Sequence, residues 1–506
     1  MASTTKRRSK YQIKLSAFLF TILCALLIPN IVRAGQAEAS MQAQMTEQKL
    51  KTYLNGLEKK RFSGSVLVEY DGEKILSQGY GLSNREQKIN YTPDTISDMG
   101  SITKHFTAAA ILKLEMQGKL STTDTLSKYF STVPDDKKNI NLHQLLTHSA
   151  GLALYSGDDF EAVTEEEFIN IAFNEKLLFK PGSTFEYSNV GYSLLAIIIE
   201  QVSGTSYENY LAENIFKPAG MLNTGYTKPD FDPQNMAVGY RGNEIWGKPN
   251  EMGWDKDAPY WHLKGNGGLL STAEDMYKWH KALNEEAILS KKAKAKFYHP
   301  HVFAEGENSP IHYAYGWFIE QTPLGGQLIN HNGGNGIIFA DFHRYIEKGV
   351  TIIIFSNNYD QYALKMAKQL AGIIFDPSFQ PDEKHGYKFL SELLETDWSI
   401  ERIIDFIKSE KSLNVPSDFI IDERSINRLG YRLIRQDKTD EALKVFELNT
   451  QLHPNSANVF DSYGETLIKM NRIQEGLIAY KKALEIDPNY PFADDARIII
   501  KQYSNK

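Results

Sequence analysis

Cysteine is almost absent from these 506 residues, Cys24 being the single instance. That excludes a disulfide framework, a cysteine-based zinc or iron–sulfur site, and a cysteine nucleophile anywhere beyond residue 24. Long apolar runs are also missing. Residues 15–28 form one 14-residue stretch that Pro29-Asn30 breaks, whereas a membrane-spanning helix needs about 20. Nor is there an excess of positive charge. The formal net charge is −7, and without the six basic and one acidic side chains of residues 1–39 it becomes −12. Nucleic-acid binding rests on Lys and Arg neutralising phosphates, so a role on DNA or RNA is excluded. With 42% hydrophobic and 24% charged residues the chain has a globular composition, long enough for about two to four domains.

Lys6, Arg7, Arg8, Lys10 and Lys14 precede the apolar run, and Ala37-Glu38-Ala39 follows it as an Ala-x-Ala cleavage site. Residues 1–39 therefore read as a secretory signal peptide, with an uncleaved N-terminal anchor as the alternative. Either reading places the protein outside the cytoplasm, periplasmic or secreted.

At the other end a 34-residue period emerges. Gly430 recurs as Gly464, Leu433 as Leu467, Phe446 as Tyr480, and Pro454-Asn455 as Pro488-Asn489, while Gly476 answers Ala442. Small and apolar residues at such offsets let antiparallel helices touch, and the prolines end the second helix of each pair. The pattern resembles the tetratricopeptide repeat over 423–490, with a last helix to 503. Phe389, Leu390, Leu393 and Leu394, then Ile403, Ile404, Phe406 and Ile407, could supply a further pair within a helical connector, 376–422. Residues 45–375 read as one mixed domain. Asp71-Gly72 is a hairpin signal between strands Ser65–Tyr70 and Lys74–Gln78, and Tyr313–Glu320, Gly336–His343 and Val350–Phe355 are further strands. Ser101–Gln117 is helical, with Ile102, Phe106, Ala109, Leu112 and Met116 on one face. The fold class is α+β: an antiparallel sheet built from both ends of the domain, flanked by helices, with an all-α insertion, then the all-α repeats.

Walker, Gly-x-Gly-x-x-Gly, His-Glu-x-x-His, EF-hand and Gly-x-Ser-x-Gly motifs are all missing, and the twelve histidines have no metal-ligand spacing. The chain offers instead Ser101-Ile102-Thr103-Lys104 at a helix start. Three residues are just under one turn, so the lysine reaches back to the serine hydroxyl. A lysine whose ammonium is disfavoured by burial or by nearby cations can then deprotonate the serine. Alone, the motif equally describes an N-cap serine beside a solvated lysine, and Ser3-Thr4-Thr5-Lys6 repeats it in the leader. Tyr187-Ser188-Asn189 can bring a phenol and an amide into one cleft. His331-Asn332-Gly333, placed between strand-like segments, has a glycine that lets substrate lie along a strand edge.

The order Ser-x-x-Lys, Tyr-x-Asn 86 residues later, and His-x-Gly 144 residues after that resembles the serine β-lactamase and penicillin-binding-protein family. The likeness is strongest to its class C β-lactamase, D-Ala-D-Ala carboxypeptidase and esterase branch. Leu145–Leu152, Gly267–Met276, Tyr315-Gly316-Trp317 and His331–Asn357 extend the likeness across residues 50–360. The resemblance implies Ser101 as the acylated nucleophile, Lys104 as base or proton relay, and Tyr187 as second acid or base. It further implies Asn189, His331 and Gly333 as substrate-binding residues, and the N–H groups of Ser101 and Gly334 as the oxyanion hole. No metal or cofactor is implied. His331 stands where many relatives carry a lysine, and a histidine near its ordinary pKa of about 6.5 is largely neutral at pH 7. His148 and Gly265–Gly268 read as structural supports. The substrate would be a small peptide, amide or ester. Three readings stay open: such a hydrolase, a true β-lactamase, and a non-catalytic peptide- or peptidoglycan-binding scaffold. The repeats would dock a protein partner or simply pack against the first domain. Asp158–Glu167 and Tyr240–His262 supply pocket walls that name no substrate, and the sequence leaves the oligomeric state open.

Overall fold

Asp71 and Gly72 both adopt positive φ, 50° and 84°, the pair of left-handed conformations that a two-residue hairpin turn requires. They join β1 (Gly64–Tyr70) to β2 (Glu73–Tyr80). The computed structural model describes residues 43–58 and 62–504, apart from 242–243, 253, 255–257, 307–308, 323–325, 359–360, 380, 382–389, 392, 395–398 and 413–420. The leader, and with it the signal-peptide and anchor readings, lies outside the described residues. Among those described, no helix is long and apolar enough to cross a membrane.

The remaining strands of the main sheet are β3 (Val302–Phe303), β4 (Ile311–Tyr313), β5 (Phe318–Gln321), β6 (Gln327–Gly334), β7 (Phe339–Tyr345) and β8 (Val350–Ser356). They form one antiparallel sheet in the order β2-β1-β8-β7-β6-β5-β4-β3. Register between the two ends of the domain is set by pairs such as Val66–Ile354 and Val68–Ile352. The central strands are buried on both faces, which is why they read as continuous apolar runs rather than clean alternations. Alternate residues feed two cores. Val66, Val68, Ile352 and Ile354 pack with the helix at 43–58 (α1) and with Gln361–Phe375, while Leu67, Ala340, Phe342, Ile353 and Phe355 face the large helical core. That second core includes α2 (Thr103–Met116), α3 (Asn189–Ser203) and α4 (Ala273–Asn284), all inserted between β2 and β3.

Three local expectations need correction. The helix at Ser101 is not one-sided: every residue from Thr103 to Leu112 is buried, and only its end, Met116, is exposed. It is a central helix, covered all round. The run Tyr313–Glu320 is two strands, because Gly316 takes φ +79° and turns the chain between them. A methyl group there would lie 2.8 Å from the Lys104 carbonyl oxygen, so this turn seats against α2. His331-Asn332-Gly333 is inside β6 rather than between strands. Its polar and glycine residues mask the strand pattern.

On the sheet's inner face, Glu69 meets His280 at 3.0 Å. Arg344 donates to His280 (3.1 Å), Tyr298 (2.6 Å) and Asn284 (2.8 Å), joining β1, β7 and α4.

Residues Asp382–Lys506 form a second compact unit. Its helices are Ile400–Ser412, Glu423–Arg435, Thr439–Leu452, Ala457–Lys469, Ile473–Ile486 and Ala493–Ser504. The second and fourth, and likewise the third and fifth, start 34 residues apart. At Gly430 a methyl group would meet the Phe446 ring at 2.5 Å, so the small residue does let the helices of this pair touch. Phe389 lies outside the described residues, whereas Leu390 and Ile403 join the same core as Leu429 and Phe446.

Candidate active site

The site begins with a tight turn, Gly100–Ile102, that leads straight into α2. Gly100 has φ +51°, and a methyl group on it would stand 2.4 Å from the Gly334 nitrogen. A methyl group on Gly333 would stand 2.0 Å from the Met99 carbonyl oxygen and 2.6 Å from the Ser101 nitrogen. Two glycines therefore let β6 close directly onto the serine turn, bringing Ser101 and Gly334 together. The turn is held by the Gly100 N–H, which donates to Asp98 (2.7 Å), and by the Met99 N–H, which donates to the Leu269 carbonyl (2.9 Å).

Lys104 is wholly buried, unlike the solvated lysine of an ordinary helix start. Its Nζ lies 3.2 Å from Ser101 Oγ, 2.8 Å from Asn189 Oδ1 and 2.7 Å from the Asn266 carbonyl oxygen. Burial drives its pKa well below the ordinary lysine value, against a smaller upward pull from Asp159. Both carbonyl-type partners can only accept hydrogen bonds, so they take the two N–H bonds of a neutral amine. The lone pair is then left for the Ser101 hydroxyl proton. Asn189 reaches this point as the first residue of α3, whose Ser188 caps the helix by accepting from the Gly191 N–H.

Tyr187 lies immediately before that cap, with its ring centroid 4.7 Å from Lys104 Nζ. Burial pushes its phenol well above the ordinary tyrosine range, so the free site holds it protonated. The Ser101 hydroxyl is near enough to perturb that ionisation, yet the buried phenol oxygen completes no hydrogen bond among the described residues. The His148 ring lies 4.2 Å from the Tyr187 ring, tilted by 34°, and its Nδ1 accepts from the Ser188 N–H at 3.0 Å. The structure thus places His148 as a brace beneath the Tyr187–Asn189 segment.

His331 is 1% exposed, in an aromatic layer with His105, Tyr187, Tyr313 and Phe318. Its Nε2 lies 3.2 Å from the Tyr313 hydroxyl and its Nδ1 meets the Asn332 carbonyl. That pairing sets the proton on Nδ1, with Tyr313 donating to Nε2. Burial, with Lys104 nearby, takes its pKa down to about 3, so the ring is neutral. Gly334, by contrast, is exposed at the end of β6.

Several further residues take part without a motif of their own. Asn266 lies in the loop that reads as a support from sequence, but its carbonyl holds Lys104, and its own amide is fixed by Ser193 Oγ (2.9 Å) and the His262 carbonyl (2.8 Å). Its flanking glycines were the available signal. Asp98 is pushed up to about 7 by burial, although the Gly100 N–H opposes this. Asp159 is pushed up to about 6 by burial, with Asp158 adding to it and Lys104 opposing. Neither carboxylate belongs to a motif that would have flagged it. Among the described residues, no group of His, Cys, Asp and Glu could hold a metal ion.

Comparison with known proteins gives this fold its family. The family profile described as Beta-lactamase matches residues 36–372. The chain is 29% identical over 348 residues to "Penicillin-binding protein 4*" of Bacillus subtilis (strain 168), covering 65% of this chain and 76% of that protein. It is 31% identical over 325 residues to "Putative penicillin-binding protein PbpX" of the same organism, covering 64% and 77%. Among solved structures, an octameric penicillin-binding protein homologue from Pyrococcus abyssi superposes with a TM-score of 0.57 at 29% identity, covering 69% of this chain and 81% of that one. On its fold, its site and these relatives, the chain belongs to the Beta-lactamase family of penicillin-binding-protein-like serine hydrolases.

Proposed function

We propose that the protein is an extracytoplasmic serine hydrolase that works through an acyl-enzyme on a small amide, peptide or ester, of the D-amino-acid peptidase, carboxypeptidase or esterase type. The observation that carries this reading is the setting of Lys104: buried, with its Nζ 3.2 Å from Ser101 Oγ and against two carbonyl-type acceptors. In the first half-reaction Lys104 takes the Ser101 proton as Oγ bonds to the substrate carbonyl carbon. The N–H groups of Ser101 and Gly334 would receive the developing oxyanion. Tyr187, protonated at rest, would donate to the departing amine or alcohol, and Lys104 would restore that proton. Water then attacks the acyl-enzyme, giving its proton to the same base and returning Ser101 to its hydroxyl form.

A neutral His331 offers no cation to a substrate carboxylate, which weighs against the β-lactamase reading, and against the carboxypeptidase type relative to the amidase and esterase types, and predicts slow or no nitrocefin turnover. The C-terminal helix pairs we read as tetratricopeptide-type repeats that dock a protein partner, since stacked pairs of this period present binding faces. Labelling with a fluorophosphonate and with fluorescent penicillin tests the enzymatic reading. An adduct on Ser101 that disappears in Ser101→Ala supports it. Absence of label on folded protein returns the scaffold reading, and rapid penicillin acylation with turnover returns the β-lactamase.

A further inference from the structure

Asp159 has no task in the acyl transfer just described, yet the fold builds it into the wall of the site. Its loop is fastened to the catalytic elements at three points. Ser188 Oγ donates to the Ala153 carbonyl at 2.7 Å, and the Asn189 N–H donates to the Leu154 carbonyl at 2.9 Å. Ser156 Oγ lies 2.7 Å from His262 Nδ1, on the residue whose carbonyl fixes Asn266. Gly157 permits this last approach, since a methyl group there would meet the His262 ring at 2.5 Å. The loop therefore joins the Tyr187–Asn189 segment to the Asn266 segment, and Asp159 follows at its inner end. Its Oδ1 is buried without a hydrogen-bond partner among the described residues. Its charge is felt at Lys104, Asp98 and Tyr155.

A buried carboxylate oxygen without a donor is unfavourable unless something supplies one. Lys104 is a nearby amine, but its contacts go to Ser101, Asn189 and Asn266. No described residue supplies that donor. Resting on the hydrolase reading above, we propose that Asp159 receives a free ammonium group carried on the acyl part of the substrate, so that the enzyme selects aminoacyl amides, esters or peptides over their N-acylated counterparts. The loop's attachment to the Asn189 N–H, through the Leu154 carbonyl, ties the segment that carries Asp159 to the residue that holds Lys104. An ammonium seated there also cancels the anion's pull on a Lys104 proton, which favours the neutral base.

The test uses two phosphonylating analogues of alanine, diphenyl 1-aminoethylphosphonate and its N-acetyl derivative, on the full chain. In both, the serine oxygen bonds to phosphorus and phenol leaves. The quantity measured is the ratio of the two second-order rates of Ser101 modification in wild type, Asp159→Asn and Asp159→Glu. The expected ratio favours the free amine by about 10- to 100-fold in wild type, the range of a charge-assisted hydrogen bond. It collapses toward one in Asp159→Asn and returns in part in Asp159→Glu. A wild-type ratio near one overturns the proposal. So does an Asp159→Asn variant in which both rates move together, because Asp159 would then act only on Lys104. If neither analogue modifies Ser101 while a fluorophosphonate does, the ammonium site is wrong and the hydrolase reading stands. If the fluorophosphonate also fails, both fall.

Discussion

Alanine in place of Gly333 would put a methyl carbon 2.0 Å from the Met99 carbonyl and 2.6 Å from the Ser101 nitrogen, both backbone atoms with little room to move. The serine turn or β6 must shift, and displacement of a nucleophile by even about 1 Å removes roughly 100-fold in rate. Gly333→Ala should fold and lose about that much activity toward an activated ester, by steady-state assay; near-normal rates would show that strand and turn are not in functional contact. Asp98 makes a different prediction. Its folded pKa of about 7 lies above the unfolded carboxylate value, so ionising it opposes folding as pH rises through that window. The sign follows from proton counts: between the two pKa values the folded chain binds more protons, so stability falls with rising pH. Asp98→Asn removes this dependence. From pH 5 to pH 8 the variant should gain about 2–3 kcal/mol relative to wild type in urea unfolding. A constant difference would mean that the folded state does not hold Asp98 protonated. Ser101, Lys104 and Tyr187 are legible because the order and separation of their motifs along the chain, rather than any one motif, carry the signal. For Asp159 and Asn266 the sequence marks only the segments they lie in, and for Asp98 nothing, because burial and a backbone carbonyl leave no mark in a sequence.

Elements were legible where one face decided their composition. The β1–β2 hairpin and β8 were recognisable, whereas β6 was hidden because His331, Asn332, Gly333 and Gly334 are there for closeness to the serine turn, not for strand propensity. The apolar spacing in α2 marks a helix but not its burial, because a helix covered on every side has no solvent face to shape its pattern. The network through Glu69, His280 and Arg344 belongs to this scale, since it ties β1, β7 and α4 through buried polar groups. Burial raises the Glu69 carboxyl, but bonding to His280 and Thr351 outweighs it and leaves Glu69 anionic. Arg344→Ala would leave His280 Nδ1, the Tyr298 hydroxyl and Asn284 Oδ1 without their buried donor and should destabilise the folded chain by about 3–5 kcal/mol, read from chemical denaturation at pH 7. A loss below about 1 kcal/mol would assign the network to surface-like solvation.

For the whole molecule, the two units each carry their own core, with the sheet clusters in one and Leu429, Phe446 and their neighbours in the other. Removing residues 384–506 should therefore leave Ser101 reactive toward a fluorophosphonate while abolishing any complex formed through the repeats; loss of labelling in a folded truncated chain would instead tie the repeats to the active site. Central to the proposed chemistry is acylation of Ser101 with Lys104 as its base. The direct measurement is rapid-quench peptide mass mapping of wild type and Lys104→Met during turnover of p-nitrophenyl acetate. An acetyl group on Ser101 in wild type, formed about 100- to 10,000-fold more slowly in the variant, is the predicted result. Turnover with no adduct on Ser101, or equal acylation without Lys104, would contradict it.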